Sequence, residues 1–230
     1  LLTAAVVLGV TMTSSWHSLG AQATLVVIGD GVLTLGRALA VVGLSTLLFL
    51  PLAVTIGLRP RLAAVLQPLI LMAASIPANL LFPFLTVLFL WSGLPLWLGS
   101  VLLMALGAQW YVLFNATAGA SAIPGDLREM AAVFRLSGGV RWRRLLLPAL
   151  FGAWVTGAVT ASGAAWNASI VAETVTWGHR RLETPGLGST IAEATAHGDR
   201  PRLMLALVVV ALNRLVWRPL YRLSERRYGA

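Results

Sequence analysis

Long apolar runs separated by short polar stretches fill most of the chain. Apolar runs occupy residues 33–58, 62–91, 96–117, 149–172 and 203–217. A helix needs about 20 apolar residues to cross a bilayer, whereas the strands of a membrane barrel alternate over about ten residues. Because backbone groups in hydrocarbon must pair within a helix or a closed barrel, runs of this length predict membrane-spanning helices.

Two parts of the pattern differ from a single spanning run of about 20 residues. Residues 1–13 are apolar but short and are predicted to end a first helix, and residues 14–31 are predicted to form a polar loop, with or without a short surface helix. The run 62–91 would span roughly 45 Å as one helix, against a hydrocarbon core of about 30 Å. Since proline removes a helical hydrogen bond, we expect a kink or break near residues 75–79. The prolines inside this run are Pro68, Pro77 and Pro83.

Composition supports this interpretation. The chain has 230 residues, of which 58% are hydrophobic and only 11% are charged, with a mean hydropathy of +0.83. Soluble domains carry about 25% charged residues. The sequence therefore predicts an all-α, polytopic membrane helical bundle of about six transmembrane helices, formed as a single domain over 1–230. It begins at Leu1 without a charged leader, so we expect a trimmed start or one half of a longer, fused polypeptide.

All 17 basic residues are arginines, and most belong to one set of loops. Because cytoplasmic loops of membrane proteins are enriched in basic residues, both termini and the loop 118–148 are predicted to be cytoplasmic. The loop 173–202 is then predicted to be periplasmic. A bilayer that keeps these arginines in separate loops argues against nucleic-acid binding. The cytoplasmic set is Arg59, Arg61, Arg128, Arg135, Arg141, Arg143, Arg144, Arg214, Arg218, Arg222, Arg226 and Arg227.

The loop IPGDLREMAAVFRLSGGVRWRRLLLP, residues 123–148, carries the most specific pattern. Pro124 can begin a helix, and Asp126 suits its first turn, where acidic groups oppose the helix dipole. Apolar residues then recur at helical spacing, which predicts a short amphipathic helix over 126–136. Its apolar positions are Leu127, Met130, Ala131 and Phe134.

These residues resemble the EAA loop of type I ABC-transporter permeases, whose pattern is E-A-A, three residues, Gly, nine residues, I-x-L-P. Glu129, Ala131, Leu145, Leu147 and Pro148 fall on that spacing, whereas Met130 replaces the first Ala and Arg135 replaces the Gly. Because of Arg135, we expect residues 137–139 to supply the turn, two or more residues late. Three further stretches resemble the nitrate/taurine/sulfonate-type permeases, so that the resemblance covers roughly 33–228: residues 59–90 with Ser75-Ile76-Pro77, WNASIVAE at 166–173, and GLGSTIAEATAHGD at 186–199.

The resemblance implies the type I ABC importer permease fold and a transmembrane permease subunit of an ATP-driven importer in a bacterial inner membrane. The helix 126–136 would be a coupling helix docked on a cytosolic ABC ATPase dimer, which would bind the ATP and Mg²⁺; this chain itself would bind no cofactor. The other implied partners are a second permease subunit, identical or different, membrane lipid, and a periplasmic or lipid-anchored substrate-binding protein. The predicted ATPase-coupling residues are Asp126, Leu127, Arg128, Glu129, Met130, Ala131, Phe134, Arg135 and Gly138.

Polar and small residues inside the spans suggest further roles. Polar groups in a membrane are costly and often functional, so we expect Asn79, Gln109, Asn115, Ser162 and Asn167 to line a translocation path or to bond neighbouring helices. Glu173, at the end of its span, is expected to reach water. Small residues let helices approach closely, and such a stripe would face a second permease subunit or pack within its own bundle. The stripe contains Gly157, Ala161 and Ala165.

Other classes of function fit the residues less well. The chain has no Lys and therefore no standard P-loop, and no Cys for thiolate chemistry. No nucleophile and base, paired membrane aspartates or metal spacing assembles an intramembrane enzyme. The remaining alternative is a secondary transporter or channel of the inner membrane, which would need ion-coupling acids in its spans.

Overall fold

The structure, a computed structural model, describes residues 20–177 and 180–228. The predicted first helix over 1–13 lies outside the described residues. Four helices in the described part of the chain are long and apolar enough to cross a membrane: Ala21–Gly57, Leu96–Ser121, Gly138–Ala172 and Arg200–Ser224. The all-α membrane class is confirmed. The count of about six spans is not.

The first described helix, α1, covers Ala21–Gly57 and is 37 residues long. The predicted loop over 14–31 is therefore wrong from residue 21 onward. The loop was predicted from the polar character of this stretch, which includes Asp30. Here the Asp30 Oδ2 accepts a 2.6 Å hydrogen bond from the Thr190 hydroxyl, which offsets part of the cost of placing the carboxylate there.

The predicted break in the third apolar run is confirmed. Helix α2 covers Pro60–Ala74, a 3₁₀ turn covers Ala78–Leu80, and α3 covers Phe82–Ser92. Pro77 falls in the gap, where its missing N–H removes no helical bond. The Ser75 hydroxyl donates a 2.7 Å hydrogen bond to the Met72 carbonyl at the end of α2. The helix thus breaks where nearby groups can pair with the freed backbone hydrogen-bonding groups.

The central helices surround the polar loop found in the sequence. Helix α4 covers Leu96–Ser121, α5 covers Gly125–Val133 and α6 covers Gly138–Arg141. A π-helical turn over Trp142–Leu146 then leads directly into α7, Leu147–Ala172. The predicted amphipathic helix over 126–136 therefore exists, but it begins one residue earlier and ends three residues sooner.

The stretch after α7 has more structure than the sequence indicated. Strands β1 (Thr174–Trp177) and β2 (Arg180–Glu183) form an antiparallel hairpin, with Thr174 opposite Glu183. Helix α8 follows over Leu187–His197, within the stretch that was predicted as a loop. Helix α9 covers Arg200–Tyr228, so that the apolar run 203–217 and the arginine-rich stretch after it form one helix.

The described residues form two compact units. Unit 1 contains residues 20–40, 78–104 and 165–216 apart from 178 and 179, and unit 2 contains residues 41–77, 105–164 and 217–228. In unit 1 the hairpin strand β1 contacts α3 and α8. The core of unit 2 is an apolar cluster that joins α1, α4 and α7 and the loop residue before α5. Its buried members include Leu50, Ile56, Leu113, Ile123 and Leu150.

Close helix packing in unit 2 depends on small residues. A Cβ atom at Gly57 would lie 2.6 Å from both the Ala120 Cβ and the Thr117 carbonyl oxygen. The Ser121 hydroxyl donates a 3.2 Å hydrogen bond to the Gly57 carbonyl at the same crossing. Association of helices in lipid relies on such packing because lipid is as apolar as the side chains. Gly57 therefore brings the end of α1 against the end of α4.

Candidate functional site

The loop helix α5 is a surface helix with an unusual distribution of apolar side chains. Pro124 is its N-cap in an extended conformation, and Asp126 lies in the first turn, where its charge opposes the helix dipole. Ala131 is buried and fixes the inner side of the helix. Leu127, Met130 and Phe134 are exposed, with 72% of Phe134 accessible.

Exposed apolar side chains on this helix form one surface, which we call the coupling surface. It consists of Leu127, Met130, Val133 and Phe134, and Val133 was not among the predicted residues. Glu129 and Arg135 are exposed, and Arg128 is partly buried. An apolar patch flanked by charges is the pattern of a helix that docks in a groove of a partner.

Arg135 forms the turn that ends α5. Its φ of 49° is left-handed, and it is the only non-glycine with positive φ in the described part of the chain. The Leu136 N–H donates to the Ala131 carbonyl at 2.8 Å, and the Arg135 N–H donates to the Ala132 carbonyl at 3.0 Å. This pair of bonds is the Schellman motif, in which glycine usually occupies the left-handed position.

The expectation of a late turn at 137–139 is therefore wrong. Arg135 occupies the position of the glycine in the family pattern and adopts the conformation that a glycine would adopt. The next positive φ belongs to Gly138, at 52°, where α6 begins. Gly138, Gly139 and the exposed Arg143 and Arg144 follow the coupling surface along the chain, and the last three line an open cavity of about 700 Å³ together with Val140.

The residues expected along a translocation path lie in different surroundings. Asn79 and Asn167 are exposed, and Gln109 is partly buried. The Asn115 amide donates a 2.8 Å hydrogen bond to the Tyr111 carbonyl, one turn earlier in α4. Ser162 is buried, and its hydroxyl accepts a 3.1 Å hydrogen bond from the Trp217 indole N–H. Asn115 and Ser162 thus already have partners within the chain.

The small-residue stripe of α7 is covered by its own chain. A Cβ atom at Gly157 would lie 2.9 Å from the Tyr111 carbonyl oxygen and 3.0 Å from the Asn115 Cβ. Ala161 and Ala165 are fully buried. This placement favours packing within the bundle over contact with a second permease subunit.

Glu173 was expected to reach water, but its side chain is completely buried. Its Oε1 accepts hydrogen bonds from the Thr34 hydroxyl at 2.8 Å and from Arg37 Nη1 at 2.6 Å. Its Oε2 accepts from the N–H groups of Gly188 at 2.7 Å and Ser189 at 3.3 Å, at the start of α8. Burial raises the pKa of the Glu173 carboxyl, and the bonds from Thr34 and Arg37 offset part of that rise.

A polar stripe in α1 was the sequence signal for this cluster. Asp30, Thr34 and Arg37 are spaced four and three residues apart, which places them on one face of a helix. The predicted loop over 14–31 placed Asp30 outside the helix and concealed that spacing. Within the part of the chain that the structure describes, no group of three potential ligands could hold a metal ion.

Two transport permease proteins are similar in sequence to this chain. A stretch of 117 residues is 30% identical to the nitrate import permease protein NrtB of Leptolyngbya laminosa, covering 51% of this chain and 40% of that protein. A stretch of 171 residues is 28% identical to the bicarbonate transport system permease protein CmpB of Synechococcus elongatus, covering 74% of this chain and 56% of that protein. The chain therefore spans about half the length of these relatives.

The family assignment rests on a longer match. Residues 48–229 match the model of the family described as binding-protein-dependent transport system inner membrane component. This range contains the coupling surface, the turn at Arg135 and Glu173. Since it also includes most of the chain, the protein belongs to the family of binding-protein-dependent transport system inner membrane components, as the resemblance of its loop to ABC permeases predicted.

Proposed function

We propose that this chain is the permease subunit of an ATP-driven ABC importer for a small solute and that it couples to a cytosolic ATPase dimer through α5. The observation that carries the proposal is the coupling surface, in which Leu127, Met130, Val133 and Phe134 are exposed on a short helix between two long apolar ones. Lipid covers the apolar faces of spans, whereas a polar loop helix needs a protein partner to cover such side chains.

The partner's contacts follow from the same surface. Aromatic and long apolar side chains contribute most of the energy of a protein interface, and charged groups at its rim contribute less. Phe134 and Met130 would therefore be the anchors, and Glu129 and Arg128 would pair with the partner at the rim. ATP and Mg²⁺ would be held by that ATPase. ATP-driven closure of the ATPase dimer would move α5 and switch the permease between its two states.

A second permease subunit and a substrate-binding protein complete the proposed assembly. Among the residues predicted to line a translocation path, Asn79 and Asn167 are exposed and could contact a solute or a second subunit. The curated relatives carry the names of nitrate and bicarbonate transport systems, so these two anions are the first solutes to assay. A secondary transporter is less well supported, because the buried Glu173 is already paired with Arg37.

Phe134→Asp tests the docking surface. A charge in an apolar interface leaves a buried group unpaired, so we expect ATPase binding to weaken by about 2 kcal/mol or more, roughly thirtyfold. The amount of ATPase that co-purifies with the permease from detergent measures this loss. Phe134→Leu is the matched control and should retain most of the ATPase. Normal co-purification of the Asp variant that has inserted into the membrane would refute docking through α5.

Arg135 substitutions test the turn. Arg135→Gly should stabilise the loop by about 0.5–1 kcal/mol and preserve ATPase binding, because glycine adopts positive φ without steric cost. Arg135→Val should destabilise it, since a β-branched residue is a strong outlier there. Thermal unfolding of the purified chain and ATPase co-purification measure both effects. If the Gly variant lost as much ATPase as the Val variant, the guanidinium that both variants lack, and not the turn, would be what the partner binds.

Membrane orientation has a simple test because the chain contains no cysteine. A cysteine at exposed Ser137 should be protected from a membrane-impermeant maleimide in intact cells and react after lysis. A cysteine at exposed Pro185 should react in intact cells, because the loop 173–202 is proposed to lie on the face opposite the arginine-rich cytoplasmic loops. The reverse labelling pattern would contradict the proposed orientation.

A further inference from the structure

Glu173 lies away from the coupling surface along the chain and is the buried carboxylate of unit 1 that the proposed docking does not use. It follows the last residue of α7 and is fully buried. A buried charge without partners is strongly destabilising, whereas a buried charge with well-placed donors is tolerated and can specify one arrangement of the surrounding elements. The groups that surround Glu173 therefore indicate what it does.

Within the described residues, four hydrogen-bond donors surround the carboxylate. The Thr34 hydroxyl and Arg37 lie at Oε1, and the N–H groups of Gly188 and Ser189 lie at Oε2. A glutamine at this position would direct its NH₂ group against donors in either orientation of the amide. Only an ionised carboxylate satisfies both sides, and its charge also favours the N-terminus of α8.

The bonds around Glu173 join α8 to consecutive turns of α1. The Thr190 hydroxyl donates to Asp30 at 2.6 Å, and the Leu187 N–H donates to the Thr34 hydroxyl at 2.8 Å. Arg37 Nη2 donates to the Thr184 hydroxyl at 3.1 Å. The segment from 184 to 190 is therefore held along one face of α1 at three successive positions.

Glycines allow this close approach. A Cβ atom at Gly186 would overlap the Glu173 carboxylate, and one at Gly188 would overlap the backbone of Ser169 in α7. The overlap at Gly188 is with backbone, which cannot move aside at low cost, and the overlap at Gly186 is with a carboxylate that would have to leave its hydrogen bonds to move. The stretch Gly186-Leu187-Gly188 thus lets the start of α8 lie directly on Glu173 and the end of α7.

We propose that Glu173 is a positioning residue for transport: its carboxylate fixes α8 to α1 and to the end of α7, so that residues 184–197 move with these helices as one body. The consequence for transport rests on the proposed function as an importer permease. The attachment of α8 to Glu173 does not depend on that function.

The absence of cysteine allows a direct measurement of the attachment. Ala194 in α8 is buried, with 1% of its surface exposed, so a cysteine introduced there by Ala194→Cys should react slowly with N-ethylmaleimide. In the Glu173→Gln background its reaction rate should rise on the order of tenfold or more, because charge-assisted bonds that hold α8 are lost. Glu193→Gln is the matched control, since that side chain is 54% exposed and should leave the rate unchanged.

A second measurement separates positioning from a general folding role. In the complex with its ATPase, Glu173→Gln should lower the kcat of ATP hydrolysis at least about threefold and leave the KM for ATP and the amount of bound ATPase unchanged. Binding should be unchanged because α5, the proposed docking helix, lies in unit 2, while the Glu173 contacts lie in unit 1. Thr34→Val removes the bridging hydroxyl with little change of shape and should shift both readouts in the same direction by less.

The outcomes are distinct. Faster labelling together with a lower kcat supports the proposal. If the cysteine introduced at position 194 is as well protected in both the Glu173→Gln and Thr34→Val backgrounds as in the parent, the proposal is overturned. Faster labelling with an unchanged kcat also overturns it. If the parent chain binds no ATPase, the proposed function fails, while the labelling comparison still decides whether Glu173 holds α8.

Discussion

The hydrogen-bonding requirement of the backbone in an apolar environment determines this structure more than any single contact. Each N–H and C=O group within hydrocarbon must be paired inside its own segment, so the chain forms helices such as α1 and α4. Where the described chain departs from helical structure, in loops or at a break between helices, local arrangements can satisfy the freed groups. The gap at Pro77, the turn at Arg135 and the start of α8 are such places.

Two of these departures differ in what they leave unsatisfied. At the end of α5 the backbone is paired through the Schellman bonds, but the apolar side chains of Met130 and Phe134 are exposed. The start of α8 instead lies against a buried polar group, the Glu173 carboxylate, whose hydrogen-bonding capacity is used by its donors. Exposed apolar side chains on a polar loop imply a partner, whereas a fully paired buried carboxylate implies an internal connection. The first therefore supports coupling and the second supports positioning.

Sequence patterns predicted the features that depend on local chemistry. The break near Pro77 follows from the missing proline N–H, and the helix α5 follows from apolar periodicity with Asp126 in the first turn. The family pattern of the loop was sufficient to predict the assignment that the match over 48–229 shows. The proposed roles of individual residues in coupling and along a path stay predictions.

Features that depend on distant partners could not be predicted in the same way. The predictions at Asp30 and Glu173 failed because the partners of these carboxylates are distant in sequence. Thr190 is 160 residues from Asp30, and Thr34 and Arg37 are 139 and 136 residues from Glu173. The error at Arg135 was different in kind. Steric preference argued against a left-handed arginine, yet the Schellman bonds hold it in that conformation.

The most direct test of coupling through α5 is photo-cross-linking with p-benzoylphenylalanine in the membrane. Phe134 and Phe84 are exposed to a similar degree, 72% and 74%, but only Phe134 belongs to the coupling surface. With the photoreactive residue at position 134, the account predicts a cross-linked product that contains an ABC ATPase chain, and none from position 84. The absence of an ATPase product from position 134, or equal yields from the two positions, would contradict it.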